Sequence, residues 1–311
     1  MSLRDLEYFI AVAEEQHFSK AAERCNVSQP TLSVQLKKME QRLGVALFER
    51  HPRRVVLTFA GHAILSKARH MLRIDGEITQ LAQAAQNPLV GKYKLGIIPT
   101  VAPYLLPHLI PFQQENTPKL TPVLQEAKTD DLVHDLRDGA LDAALLALPL
   151  DGIEDLAITP LYTEKFHLAL PENHPLAAQK IISTQDLKEG ELLLLEDGHC
   201  LREHALEVCE FLGRAENAEL KATSLETLRH MVMAGQGVTL MPELALEQKN
   251  GNAVWPHLAI REVRTSSQKP PQRQVGLVCR YGYPRASALK RVFKGFASEL
   301  AEKYPGVSAL E

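Results

Sequence analysis

The sequence predicts a small helical head with a β-hairpin, then one long helix, then an α/β body built as two lobes. Three observations lead there. Apolar residues fall at helical spacing, in short bounded runs, as far as Gly44. From Thr58 to Asn87-Pro88 the only helix breakers are Gly61 and Gly76. After Pro88, short apolar runs alternate with helical patterns, as in a sheet covered by helices. The 311 residues, 45% hydrophobic and 23% charged, suit two or three domains with sizeable cores.

In the head, Leu3, Leu6, Phe9, Ile10 and Ala13 mark a first amphipathic helix. Ser19 is placed to cap a short second helix, Lys20 to Cys25, and Asn26 and Val27 form a turn. Ser28 caps a third helix, with Pro30 tolerated in its first turn and Gly44 ending it. Leu32, Leu36, Met39 and Leu43 make one buried stripe, leaving Gln29, Thr31, Ser33, Gln35 and Lys38 on polar faces. Two short helices at a tight turn, the second rich in amides and hydroxyls, describe a helix-turn-helix. Residues 46–58 read as a hairpin with Arg53 and Arg54 near its tip, a wing beside the helices. Gln, Ser and Thr can read base edges in a major groove, and Lys and Arg neutralise phosphates. Residues 1–73 carry a net +5 and the remainder −8, a basic head on an acidic body. A plain helical subdomain with a solvated polar face fits the same spacing.

The long segment from Thr58 spans roughly 44 Å as a helix. Phe59, Ala63, Leu72, Ile78, Leu81 and Ala85 form its apolar stripe. A helix without a core of its own suggests pairing with a second chain, and packing on its own body is the alternative.

The body begins with a strand at Tyr93–Ile98, a helix around Tyr104–Gln114, a strand near Lys119–Glu126, a helix over Asp130–Arg137 and a strand at Leu141–Ala147. A second set follows. It comprises strands at Phe166–Leu170 and Leu192–Leu195, a helix holding two cysteines, a helix at Ser224–Ala234 and a strand at Val238–Met241. Strand Gln274–Cys279 and helix Arg285–Lys303 return to the first lobe. The alternation in the first set argues for an α/β sheet with parallel strands. Ligands of such sheets bind outside the carboxyl ends of strands, where Thr100, Thr129 and His199-Cys200 each fall.

Cys200 and Cys209 lie nine residues apart in a stretch that reads as the start of a helix. On a helix their Cα atoms would be roughly 13 Å apart and on opposite faces. A disulfide needs Cα atoms within about 7 Å. The pair is therefore either helical and reduced or bonded and unwound, a candidate redox switch. Asp197 or Gly198 can cap that helix, leaving Cys200 in a first turn whose N–H groups favour a thiolate. Cys25 and Cys279 read as small buried hydrophobes. No Cys/His spacing suggests a metal, and nothing suggests another cofactor. No apolar run approaches the roughly 20 residues of a membrane span, and no signal-peptide core is evident at the start. A cytoplasmic location follows as the expectation. There, cysteines that pair serve sensing or catalysis more often than structure.

The run Ala21-Ala-Glu-Arg-Cys-Asn-Val-Ser-Gln-Pro-Thr-Leu-Ser-Val-Gln-Leu-Lys-Lys-Met-Glu-Gln-Arg-Leu-Gly44, followed by Leu47-Phe-Glu-Arg50, resembles the DNA-binding domain of LysR-type transcriptional regulators. The resemblance implies a winged helix-turn-helix (α-rich) over residues 1–58, a linker and dimerisation helix over 59–88, and a regulatory domain over 89–311. The last would be a two-lobed α/β effector domain of the periplasmic-binding-protein-like kind. Lobe I would cover about 89–162 and 269–311, and lobe II about 163–268. It further implies base contacts from Gln29, Thr31, Ser33 and Gln35, and backbone contacts from Ser28, Arg53 and Arg54. The partners implied are double-stranded promoter DNA, a homodimer or homotetramer, and RNA polymerase.

Within the body, Ile98-Pro-Thr-Val-Ala-Pro-Tyr-Leu-Leu-Pro107, Leu194-Leu-Glu-Asp-Gly-His-Cys-Leu-Arg202, Cys209 and Thr223-Ser-Leu-Glu-Thr-Leu-Arg229 resemble the peroxide-sensing branch of that family. By that likeness Cys200 attacks hydrogen peroxide and Cys209 resolves the product to a disulfide. Thr100, Thr129 and His199 would position the peroxide. Arg273 would stabilise the thiolate or developing oxyanion, and Glu203 would aid proton transfer. The rearranged regulatory domain would then change promoter binding and the transcription of antioxidant genes. A glutaredoxin- or thioredoxin-type thiol reductant would reset the switch. Two other readings remain. The cleft could receive a small metabolite, with the cysteines incidental. The chain could also be a thiol peroxidase, against which the helix-turn-helix argues.

Overall fold

The computed structural model describes residues 1–51, 54–187, 191–198, 201–202, 221–246, 248–249, 252–253, 257–265 and 268–310. Arg53, His199, Cys200, Glu203 and Cys209 lie outside the described residues, as do the side chains of Arg54, Leu81 and Ala85. Contacts divide the chain into two units, residues 1–86 with 138–140, and residues 87–137 with 141–311.

The first unit opens with α1 (Leu3–Glu15), whose start is set by a capping box. Ser2 Oγ accepts from the Asp5 N–H, and Asp5 Oδ2 accepts from the Ser2 N–H at 2.7 Å. Helix α2 (Phe18–Arg24) begins earlier than the sequence suggests. Its cap is His17, whose Nδ1 accepts from the Ser19 N–H at 3.2 Å, so Ser19 lies inside the first turn. Asn26 then turns the chain at φ 54°, a left-handed conformation that asparagine tolerates. Helix α3 (Gln29–Leu43) has Ser28 as its N-cap and Gly44 as its left-handed C-cap.

Strands β1 (Phe48–His51) and β2 (Arg54–Leu57) pair antiparallel as the wing. Glu40 ties α3 to it, accepting the Leu47 N–H at 2.8 Å. Leu6, Phe9, Val12, Leu32, Leu36, Met39, Leu47 and Phe48 share one core. Helix α4 (Phe59–Gln86) starts where Thr58 Oγ1 accepts the Gly61 N–H at 2.9 Å. Gly61 has no room for a Cβ, which would overlap the Leu47 carbonyl. Along α4, Ala68 joins the head core and Leu65 and Leu72 pack against it. Phe59, Met71, Ile74 and Ile78 remain exposed.

The second unit alternates as expected through β3 (Gly91–Ile97), α5 (Ala102–Asn116), β4 (Leu120–Glu126), α6 (Thr129–Asp138) and β5 (Ala143–Leu148). Strand β3 runs parallel to both β4 and β5. The next strand, β6, spans Leu156–Pro171, ten residues earlier in start than the sequence reading. Then come β7 (Ile181–Ser183), β8 (Leu194–Leu195), β9 (Lys221–Ala222), α7 (Leu225–Met233), β10 (Thr239–Pro242), β11 (Gln248–Lys249), β12 (Asn252–Ala253), β13 (Leu258–Arg264), β14 (Gln272–Arg280), α8 (Ala286–Lys303) and β15 (Val307–Ala309).

The parallel strands expected of the first set are found, and the later strands depart from that pattern. The largest sheet is mixed, in the order β4-β3-β5-β14-β6-β13-β7, with β10 and β15 also on β6. Strand β14 runs antiparallel to both β5 and β6. Strand β6 passes between two cores. Tyr162 belongs to the core of β3, β5, α5 and α8, and Phe166 to that of β10, β13 and α7. Among the described residues, no helix is long and apolar enough to cross a membrane.

Candidate functional site

Two places carry the chemistry. On α3, Leu32, Leu36 and Met39 are buried, so the opposite side of the helix presents Pro30, Val34, Lys37 and Lys38. Gln29 and Ser33 occupy one flank of that face and Thr31 and Gln35 the other. Gln29 and Thr31 are exposed, and Ser33 and Gln35 are partly covered. Two local bonds hold the flanks before any partner arrives: Ser28 Oγ to Thr31 Oγ1 at 2.7 Å, and Gln29 Nε2 donating to Ser33 Oγ at 3.1 Å. Val34, 52% exposed at the centre of the face, was not singled out from sequence. Its isopropyl group offers apolar contact of the kind a thymine methyl accepts. Arg24 and Arg69 are engaged by Glu14 at 2.7 and 2.9 Å, which binds α1, α2 and α4 together. Burial works to raise the Glu14 pKa, but hydrogen bonds from Arg69 and Arg24 outweigh it and lower it.

In the second unit, Thr100 follows β3 and is 2% exposed. Its hydroxyl accepts from Arg273 Nη1 at 3.0 Å, and its carbonyl accepts from Nη2 at 3.0 Å. Arg273 Nε donates to Glu164 Oε1 at 2.7 Å, and Glu164 Oε2 accepts the Leu244 N–H at 3.2 Å. The guanidinium also lies 6.0 Å from the centre of the Phe166 ring. The Tyr162 hydroxyl, fully buried close by, has no hydrogen-bond partner among the described residues. Burial pushes its pKa well above the usual value, and the Glu164 carboxylate adds to the shift. The structure thus joins Thr100 to Arg273 and adds Glu164, which sequence reading missed. An isolated glutamate inside a strand carries no signal until its partner is brought beside it.

Thr129 is the first residue of α6 and lines a different cavity, of about 310 Å³, with Asp130, His134 and Asp151. Between the lobes lies a cleft of about 410 Å³, with Tyr104, Glu126, Lys128, Asp131, Glu196 and Glu226 among its walls. Two side chains cross it: Tyr104 Oη donates to Glu226 Oε1 at 2.9 Å, and Lys128 Nζ donates to Glu196 Oε1 at 2.8 Å. Cys279 is buried, and burial pushes its thiol up to about 12, too high for a reactive thiolate at neutral pH. Cys25 is half-buried after α2, and desolvation raises its pKa. Among the described residues, no three His, Cys, Asp or Glu side chains cluster in a way that could hold a metal ion.

A winged helix-turn-helix unit and a separate two-lobed α/β unit with a cleft define a DNA-binding transcriptional regulator rather than an enzyme. Residues 3–62 match the bacterial regulatory helix-turn-helix protein, lysR family, and residues 86–301 match the LysR substrate binding domain. The chain belongs to the LysR family of transcriptional regulators. It is 42% identical over 303 residues to the DNA-binding transcriptional dual regulator OxyR of Escherichia coli K12, covering 96% of each chain. A full-length OxyR cysteine-to-aspartate variant from Pseudomonas aeruginosa superposes with TM-score 0.75 at 37% identity, covering 100% of this chain and 99% of that one. A cysteine-to-serine variant of Corynebacterium glutamicum OxyR with hydrogen peroxide bound gives TM-score 0.64 at 34% identity, covering 97% and 94%.

Proposed function

We propose that this chain is a hydrogen-peroxide-responsive transcription factor that binds promoter DNA through α3 and the wing. One observation of this structure carries the reading. A buried guanidinium, Arg273, is held against the hydroxyl of Thr100, at the strand end where a small polar oxidant would sit. The likeness to OxyR proteins supports the same conclusion.

The chemistry is a two-electron oxidation. The Cys200 thiolate attacks one oxygen of hydrogen peroxide, the O–O bond breaks, and the other oxygen leaves as hydroxide, which takes a proton to become water. The Cys209 thiol then attacks the sulfenic sulfur, forming the disulfide and releasing a second water. Arg273, Thr100 and His199 orient the peroxide and stabilise the anions, and Glu203 moves the proton. Because helix and disulfide exclude each other over that spacing, oxidation rearranges lobe II and changes promoter binding, contact with RNA polymerase and transcription of antioxidant genes. A dithiol reductant of the glutaredoxin or thioredoxin class returns the two electrons. The protein acts in the cytoplasm as a homodimer or homotetramer. The exposed Phe59, Met71, Ile74 and Ile78 of α4, and Val123 and Leu124 on the edge strand β4, support self-association.

The interlobe cleft supports a second reading, a regulator of the same family answering to a small metabolite. Disulfide mapping by mass spectrometry after near-stoichiometric peroxide separates the two. A Cys200–Cys209 bond in the wild type, lost in Cys200→Ser, is expected. Two unreacted thiols would overturn the peroxide reading in favour of the metabolite.

A further inference from the structure

Lys128 joins two segments that sequence reasoning treats separately. It stands one residue before Thr129, between β4 and α6. Its ammonium donates to Glu196 Oε1 at 2.8 Å and to the Asp197 carbonyl at 3.0 Å, both on lobe II. Its stem lies over Gly198, where an added Cβ would sit 3.3 Å from Lys128 Cδ. Gly198 has φ 88°, so the backbone turns there beneath the lysine. From the other side, Arg202 Nε holds Asp197 Oδ1 at 3.0 Å. Residues 196–198 are thus gripped between the lobes, and the chain continues directly into His199-Cys200.

The bridge is half-exposed, with side-chain accessibilities of 38% and 36%. Such pairs contribute little to stability and are screened by salt. Its consequence is geometric. The Tyr104–Glu226 bond also spans the cleft but reaches α7, whereas Lys128 reaches the segment that leads to the reactive thiol.

We propose that Lys128 is a positioning residue for the peroxide reaction: by fixing residues 196–198 to lobe I it sets the rate at which Cys200 is oxidised. The inference rests on the peroxide reading above. Reacting atoms contributed by two lobes must meet within a fraction of an ångström, and a displacement of about 1 Å can cost on the order of a hundredfold in rate. A charged, screened tether also makes that rate sensitive to ionic strength.

The test compares full-length wild type, Lys128→Met, Lys128→Arg and Glu196→Gln. Each is mixed with hydrogen peroxide at low and high salt and quenched by alkylation, and the Cys200–Cys209 peptide is quantified by mass spectrometry. Lys128→Met keeps the stem over Gly198 and removes both bonds. It should slow disulfide formation about tenfold or more and lose the salt dependence, with an unchanged thermal midpoint. Glu196→Gln should lose the salt dependence with a smaller drop in rate, because the Asp197 carbonyl bond survives. Lys128→Arg should stay close to wild type. A Lys128→Met rate and salt response equal to wild type would overturn the inference, as would an equal loss in Lys128→Arg. Failure of the wild type itself to form the bond would instead remove the peroxide reading, so the two failures are distinguishable.

Discussion

Arg273 and Glu164 are register partners on the adjacent antiparallel strands β14 and β6, and their side chains meet at 2.6 Å with 1% and 0% exposure. Cross-strand pairing sets the charges face to face, and burial removes the water that would otherwise solvate them. Each atom of the pair then needs a protein partner. Thr100 supplies two acceptors for the guanidinium, and the Leu244 N–H supplies a donor for the carboxylate. Arg273 is therefore held in one pose, with its charge delivered to the end of β3.

Removing one member strands the other. Glu164→Gln should destabilise the second unit by about 3–5 kcal/mol, because the guanidinium remains buried without its counter-ion. The double change Glu164→Leu with Arg273→Met should recover much of that loss while leaving Thr100 without its donor. Urea unfolding of the two variants and the wild type measures both effects. Equal stability of Glu164→Gln and wild type would contradict the account.

On α3, base reading and phosphate attraction should separate experimentally. Gln29→Ala and Thr31→Ala are expected to reduce discrimination between operator and scrambled DNA by about 1–3 kcal/mol, with the salt slope of binding unchanged. Lys38→Ala should weaken both DNAs alike and lower that slope by about one. Fluorescence anisotropy at several salt concentrations distinguishes the patterns. A salt-slope change in Gln29→Ala without loss of discrimination would reassign that residue to the backbone.

Glu243 supplies a pH dependence with a definite sign. Burial works to raise its pKa, but the hydrogen bond from His167 Nε2 at 2.5 Å, the His167 and Lys165 charges and the Gly306 N–H outweigh it and lower the pKa below 4.5. A carboxylate whose folded pKa is depressed contributes stability that is present above its unfolded pKa and lost as pH falls through the folded one. The second unit should therefore lose stability below about pH 4.5 more steeply in wild type than in Glu243→Gln. Thermal midpoints from pH 7 to pH 3 test this, and parallel acid limbs would exclude the contribution.

Local signals carried the head. The stripe Leu32, Leu36 and Met39 is buried as its spacing requires, and Ser28, Gly44 and Thr58 mark element ends because capping acts within a few residues. Two local expectations failed: His17 rather than Ser19 caps α2, because an imidazole nitrogen can do the work of a hydroxyl, and Leu43, the last residue of α3, is 38% exposed instead of completing the buried stripe. The early start of β6 escaped notice because Pro160 disrupts its pattern. In the sheet it sits beside a register shift near Gly276, where a residue without a ladder donor is tolerated.

By itself the sequence determined most of the helix ends, the basic head on an acidic body, and the nine-residue spacing of Cys200 and Cys209. All of these are properties of neighbours along the chain. Only the tertiary structure decided that Arg273 answers to Glu164 and Thr100, that Lys128 grips residues 196–198, and that Thr129 lines a cavity apart from the interlobe cleft. Those groups are far apart in sequence. Their charges acquire partners, and their chemistry acquires a direction, only once strand pairing and core burial have brought them together.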